Sequence, residues 1–103
     1  TTTCQLSDII YMESNRHYLD IHTTKDIYHF RGKLADYDKR LTEYGFLRIH
    51  ISYLVNIRYI YQLSSKGVLL DDKTLLPISR DRTDAIKLQY IRQLERFVHG
   101  IHI

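Results

Sequence analysis

The chain has 103 residues, close to the commonest size of a single domain, and at 44% hydrophobic and 26% charged its composition is that of an ordinary globular protein. Disorder and collagen-like structure are thereby excluded, and no apolar run approaches the ~20 residues of a membrane span. Lys and Arg number 15 against 12 Asp and Glu, a formal charge of +3 with histidines neutral, a mild excess that suits nucleic acid without identifying it. The N-terminus lacks the basic-then-apolar pattern of a secretory signal. Because it begins at Thr1, the chain reads as one domain, residues 1–103, cut from a longer protein. Cys4 is the single cysteine, so neither an internal disulfide nor a cysteine-based zinc site can form, which suits a reducing, cytoplasmic compartment.

Ser7-Asp8 reads as a turn, and Ile9-Ile10-Tyr11-Met12 as a buried strand, with Cys4 in the strand-like opening. Glu13 to His17 is polar and loop-like. Tyr18 to Thr23 and Ile27 to Arg31, joined by the turn residues Thr24-Lys25-Asp26, predict a hairpin. The period then changes: Leu34, Tyr37, Leu41 and Tyr44 recur at helical spacing and Gly45 stops the run, so an amphipathic helix is expected from about Lys33 to Tyr44. Phe46 to Ile49 returns to strand character. Ile57 to Leu63 and Val68 to Leu70 flank Ser64-Ser65-Lys66-Gly67 as a second hairpin, and Asp71-Asp72-Lys73 is a further turn before Leu75-Leu76. Pro77 is expected at a strand end or edge. From about Arg82, the stripe Ile86, Tyr90, Leu94 and Phe97 predicts a C-terminal helix. The expected fold is mainly β with a central and a terminal helix; nine tyrosines without a tryptophan lean the same way.

Nothing in the sequence points to catalysis. Gly32, Gly45, Gly67 and Gly100 are isolated, so no glycine-rich loop can cradle phosphate, and no histidine or acid near Cys4 activates it. Asp71-Asp72 reads as turn chemistry rather than a carboxylate pair. The histidines lack metal spacing: His17 and His22 flank one strand on opposite faces, and His99 and His102 fall in the terminal tail. No cofactor or metal is expected. The cations are more informative. Arg16 and His17, Arg48 and His50, Arg80 and Arg82, and Lys66 all fall at connections between elements, where rigid β scaffolds carry function. Asn56, between apolar neighbours, reads as a structural residue that bonds backbone groups at a turn.

Phe46-Leu47-Arg48-Ile49-His50-Ile51-Ser52-Tyr53-Leu54-Val55-Asn56 resembles the F-x-R-x-H-x-S-[YF]-x-V-N signature of LytTR domains, the DNA-binding output domains of bacterial response regulators. In order and spacing, Asp8-Ile9-Ile10-Tyr11-Met12-Glu13 resembles the family's D-I-x-[YF]-I-E strand. Gly32-Lys33-Leu34 is similar to the start of its central helix, and Leu76-Pro77-Ile78-Ser79-Arg80 to its L-P-V-S-R element. The likeness spans about residues 8–88. It implies an elongated assembly of small antiparallel β-sheets whose loops enter DNA grooves. By this resemblance His17 and Arg80 read bases, and His50, Ile51 and Ser52 contact the backbone and minor groove between them. Arg16, Arg48, Lys66, Ser79 and Arg82 can hold phosphates. The resemblance further implies double-stranded DNA with direct repeats as partner, a receiver domain in the full-length protein, and an isolated domain that is monomeric off DNA. Ile51 departs from the family, which commonly has a basic or polar residue there; either it faces DNA without charge or it turns inward to continue the apolar set of Ile49 and Tyr53. A protein-interaction module built on a tyrosine-rich surface and the C-terminal helix is the alternative class, and single-stranded RNA a weaker third. Salt separates the first two, because phosphate binding weakens linearly in log–log terms and apolar docking does not.

Overall fold

The computed structural model describes residues 4–98; His99 and His102 lie outside them. Strands β1 (Ile9–Asn15), β2 (Tyr18–Thr23), β3 (Ile27–Arg31), β4 (Phe46–His50) and β5 (Tyr53–Asn56) form one antiparallel sheet in the order β3-β2-β1-β5-β4. A second sheet of β6 (Ile60–Ser64), β7 (Gly67–Leu70) and β8 (Leu75–Leu76) has the order β6-β7-β8. Helix α1 (Ala35–Thr42) links β3 to β4, and α2 (Thr83–Gln93) follows the second sheet and widens into a π-turn over Leu94–Val98. The result is a mainly β body of 41 × 32 × 26 Å.

The first sheet separates two cores. Met12, Leu19 and Leu54 pack with Phe46 against Leu34 and Leu41 of the α1 region, while Leu47, Ile49 and Val55 pack with Val68, Leu70 and Leu76 of the second sheet and Ile86 of α2. Ile86, Tyr90 and Phe97 of the predicted terminal stripe face this body, so the stripe is not a free docking face. The central helix is shorter than expected, and Tyr44 is 57% exposed rather than on the buried stripe. Gly45, at φ +92°, has already turned the chain out of the helix there, a conformation that costs a glycine little. Cys4 sits ahead of a 3-10 turn at Leu6–Asp8 rather than in a strand. Ile57, expected to open a strand, lies in a 3-10 turn (Ile57–Tyr59) before β6. The Asp71–Lys73 turn forms as expected: Thr74 N donates to Asp72 Oδ1 at 3.0 Å, which holds that carboxyl below its ordinary range.

Two buried amides join elements distant in sequence. Asn56, 1% exposed, donates from Nδ2 to the Ile9 carbonyl at 2.9 Å, and its Oδ1 accepts from Arg58 N at 3.1 Å. Gln93, on α2, donates to the carbonyls of Thr42 and Phe46, each at 2.9 Å, clamping the helix onto α1 and the outer edge of β4. Asn56→Ala should therefore leave the Ile9 carbonyl unsatisfied and destabilise the fold by about 1–3 kcal/mol. Urea denaturation measures this, and a variant as stable as the parent would assign Asn56 no structural role.

Candidate nucleic-acid interface

Antiparallel pairing decides which connections meet. β1 pairs with β2 up to Asn15↔Tyr18, leaving Arg16-His17 as a two-residue turn. β4 pairs with β5 up to His50↔Tyr53, leaving Ile51-Ser52 as another. Because β1 also pairs with β5, both turns lie at one end of the sheet, and Ser14 N donates to the Ser52 carbonyl at 2.9 Å. The segment after β8 reaches the same place, where Ser79 N donates to the Ile49 carbonyl at 2.8 Å. Asp38, Arg48, His50, Ile51, Ser79 and Arg82 line one shallow depression there. Lys66 tips the β6–β7 turn at the end of the second sheet from which Pro77 leaves, since Val68 pairs with Leu76 antiparallel.

The first turn is tighter than the five-residue loop expected from Glu13 to His17, because β1 continues to Asn15. Two-residue hairpins favour left-handed residues, and Arg16 adopts φ +59°. The second turn has neither a left-handed residue nor a glycine. It is braced instead by Arg48, whose Nε donates to the His50 carbonyl at 2.9 Å and Nη2 to the Ile51 carbonyl at 2.6 Å. Nη1 meets Asp38 Oδ2 of α1 at 2.8 Å. Ser52 N donates to His50 Nδ1 at 3.1 Å, so the neutral His50 ring carries its proton on Nε2. The ladder register shifts between Arg48 and His50. Ile49 continues the buried face of Leu47, but Ile51, two residues further on, is 77% exposed, which overturns the inward alternative for Ile51.

The remaining sequence-predicted residues differ in how they are held. Arg16, His17, Lys66, Arg80 and Arg82 are exposed, and among the described residues their side chains have no hydrogen-bond or ion-pair partner. The Ser79 hydroxyl, by contrast, donates to Asp81 Oδ1 at 2.9 Å. Two cations that the sequence did not mark as site residues share a depression with His17, namely Arg31 and Lys33, together with Gly32 and Asp36. The pairing Tyr18↔Arg31 was the available signal.

Behind the turns, one face of the sheet carries a polar relay. Glu13 Oε1 lies 3.3 Å from His22 Nε2, and Glu13 Oε2 accepts from the Tyr53 hydroxyl at 3.0 Å. His22 stacks on Tyr11 with ring centroids 4.1 Å apart, and Tyr53 meets His50 edge-on at 5.8 Å. Burial, reinforced by the neighbouring Glu13, raises Tyr11 from 10.0 to about 12.

A model of the LytTr DNA-binding domain matches residues 1–91. The chain belongs to the LytTR DNA-binding domain family. It is similar to the haem-containing CO-sensing transcriptional regulator RcoM 1 of Paraburkholderia xenovorans, with 35% identity in an alignment of 88 positions that covers 80% of the chain and 33% of the relative. It is also similar to the sensory transduction protein LytT of Bacillus subtilis, at 26% identity over 89% of the chain and 37% of that protein. The chain thus spans about a third of the length of these curated relatives. The solved LytTr domain of a methyl-accepting/DNA response regulator from Bacillus cereus has the same fold, with a TM-score of 0.72 at 17% identity over 81% of each chain. As a LytTR domain, the chain is a DNA-binding domain.

The raised Tyr11 has a consequence at high pH. The native state favours the protonated phenol, so the stability it contributes is whole below pH 10.0 and is lost as pH rises through about 12. Phenolate absorbance should show a late-ionising tyrosine that disappears in Tyr11→Phe. Loss of absorbance near pH 10.0 instead would mean that Tyr11 ionises with the exposed tyrosines.

Proposed function

We propose that this LytTR domain recognises one face of duplex DNA through the connections gathered at the end of its first sheet. The observation that supports this reading best is the pair of backbone bonds, Ser14 N to Ser52 O and Ser79 N to Ile49 O, which join three cation-bearing connections. His17 and Arg80 read base edges in successive major grooves. The arginine fork suits guanine O6 and N7, and the histidine offers one hydrogen bond. Arg16, Ser52, Lys66 and Arg82 hold phosphates, and His50 contributes its Nε2 proton to the groove or backbone between the two reading sites. Arg48 and Ser79 act through the shape of their loops, since Asp38, Asp81 and backbone carbonyls already engage them. Ile51 meets the DNA by its apolar surface. The chain acts by binding rather than catalysis and works in the cytoplasm on direct repeats. The isolated domain is monomeric off DNA, and a receiver domain elsewhere in the full-length protein, in a two-component phosphorelay, supplies dimerisation. The haem-containing CO-sensing name of RcoM 1 favours a second reading of that companion, a sensor module of another kind.

Arg80→Ala should cost about 1–3 kcal/mol on a duplex selected from a random pool and relax preference at one base pair. Lysine should not restore it, because the fork is lost. Equal weakening on selected and mixed-sequence duplex would make Arg80 a phosphate contact alone.

Ile51→Arg places a cation on an exposed turn, so the variant should melt like the parent. It should bind more tightly and steepen log K against log salt by about 0.9, with base preference unchanged. A stably folded variant with the parental slope would remove this turn from the interface.

A further inference from the structure

We propose that the β3–α1 connection is a further DNA-backbone element, in which Arg31 and Lys33 hold phosphates beside the groove that His17 enters. The proposal rests on the reading that the Arg16-His17 turn meets DNA. Arg31 is the last residue of β3 and pairs with Tyr18, the first residue after that turn. The connection is bonded to the turn itself, for Gly32 N donates to the His17 carbonyl at 2.9 Å. His17, Arg31, Lys33 and Asp36 line one depression around Gly32, so a strand of DNA whose base meets His17 passes both cations.

The two cations are presented rather than consumed by the fold. Both are exposed, and among the described residues no carboxylate lies within ion-pair distance of either. Asp36 borders the depression without pairing, and its place in the first turn of α1 suits the helix's positive end. Arg31 instead rests its guanidinium over the Tyr18 ring, 5.9 Å from the centroid. The Tyr18 ring is in turn stacked on His29 at 4.6 Å, and His29 Nδ1 is hydrogen-bonded to Asp20 Oδ1. An aromatic shelf of this kind limits the freedom of the arginine while leaving its N–H fork unoccupied, a preorganised arrangement for a phosphate oxygen. Lys33 supplies a second, mobile point charge one residue past the glycine.

Two counterions' worth of binding should therefore reside here and carry no sequence information. The test compares this chain with Arg31→Gln/Lys33→Gln and with Lys33→Gln alone. Each is titrated at several salt concentrations against a duplex selected from a random pool and a mixed-sequence duplex. The double variant should flatten log K against log salt by about 1.8 and Lys33→Gln by about 0.9, with equal fold losses on both duplexes. Arg31→Lys should keep the slope, which separates charge from support of Tyr18. Parental slopes in folded variants would overturn the proposal; if Arg80→Ala still lost base preference, the broader DNA reading would survive. Failure of the parent chain to bind either duplex would overturn both. Because Lys33 is an exposed residue ahead of α1, its single variant remains decisive if the double variant does not fold.

Discussion

β1 is hydrogen-bonded on both edges, to β2 from Ile9 to Asn15 and to β5 from Tyr11 to Glu13. Antiparallel pairing on each side means that the chain must reverse at the same end of the sheet in both hairpins. Arg16-His17 and Ile51-Ser52 are neighbours for that reason, although more than thirty residues separate them. Slipping either ladder by one residue would exchange its buried and exposed faces, so burial of Met12, Leu19 and Leu54 also fixes where the exposed turns stand. The core and the proposed interface depend on one register.

Charge is divided accordingly. Where a polar or charged side chain braces the scaffold it has a partner: Arg48 with Asp38, His29 with Asp20, His22 with Glu13. At the rim, Arg16, Arg31, Lys33, Lys66, Arg80 and Arg82 have no such partner among the described residues. A guanidinium already forked onto protein oxygens has fewer donors to offer, whereas an exposed one exchanges water and counterions for phosphate. The motif arginine, Arg48, and the late arginine, Arg80, thus share a residue type but differ in how the fold engages them.

Much of this was legible in the sequence because period and turn chemistry agreed. The β2–β3 hairpin, the central helix and the glycine that ends it, the Asp71–Lys73 turn and the terminal helix stripe all follow from side-chain pattern. β5 was not legible as a strand: it has only four residues, and the Ile51-Ser52 turn before it contains no glycine, proline or asparagine. Its turn signal is Arg48, whose guanidinium braces the His50 and Ile51 carbonyls and is itself held by Asp38 of α1, an arrangement outside the usual turn-residue rules. The exposure of Ile51 was hidden by the same turn. Gln93 reads as a surface residue of an amphipathic helix, yet it is 8% exposed because two carbonyls near the edge of β4 require donors. Arg31 and Lys33 escaped notice because their relation to His17 arises from ladder register rather than from sequence spacing. The family signature located the first, second and third connections; only the pairing explains why they form one surface.

The most direct test of that surface is to follow backbone amide resonances of this chain while a duplex selected from a random pool is added. The large shifts should fall together on Arg16 and His17, on His50 to Ser52 and on Ser79 to Arg82, saturating at one duplex concentration. Shifts concentrated instead on the outer face of α2 around Leu88 and Ile91, or on β6 around Tyr61, with these three connections silent, would contradict that surface.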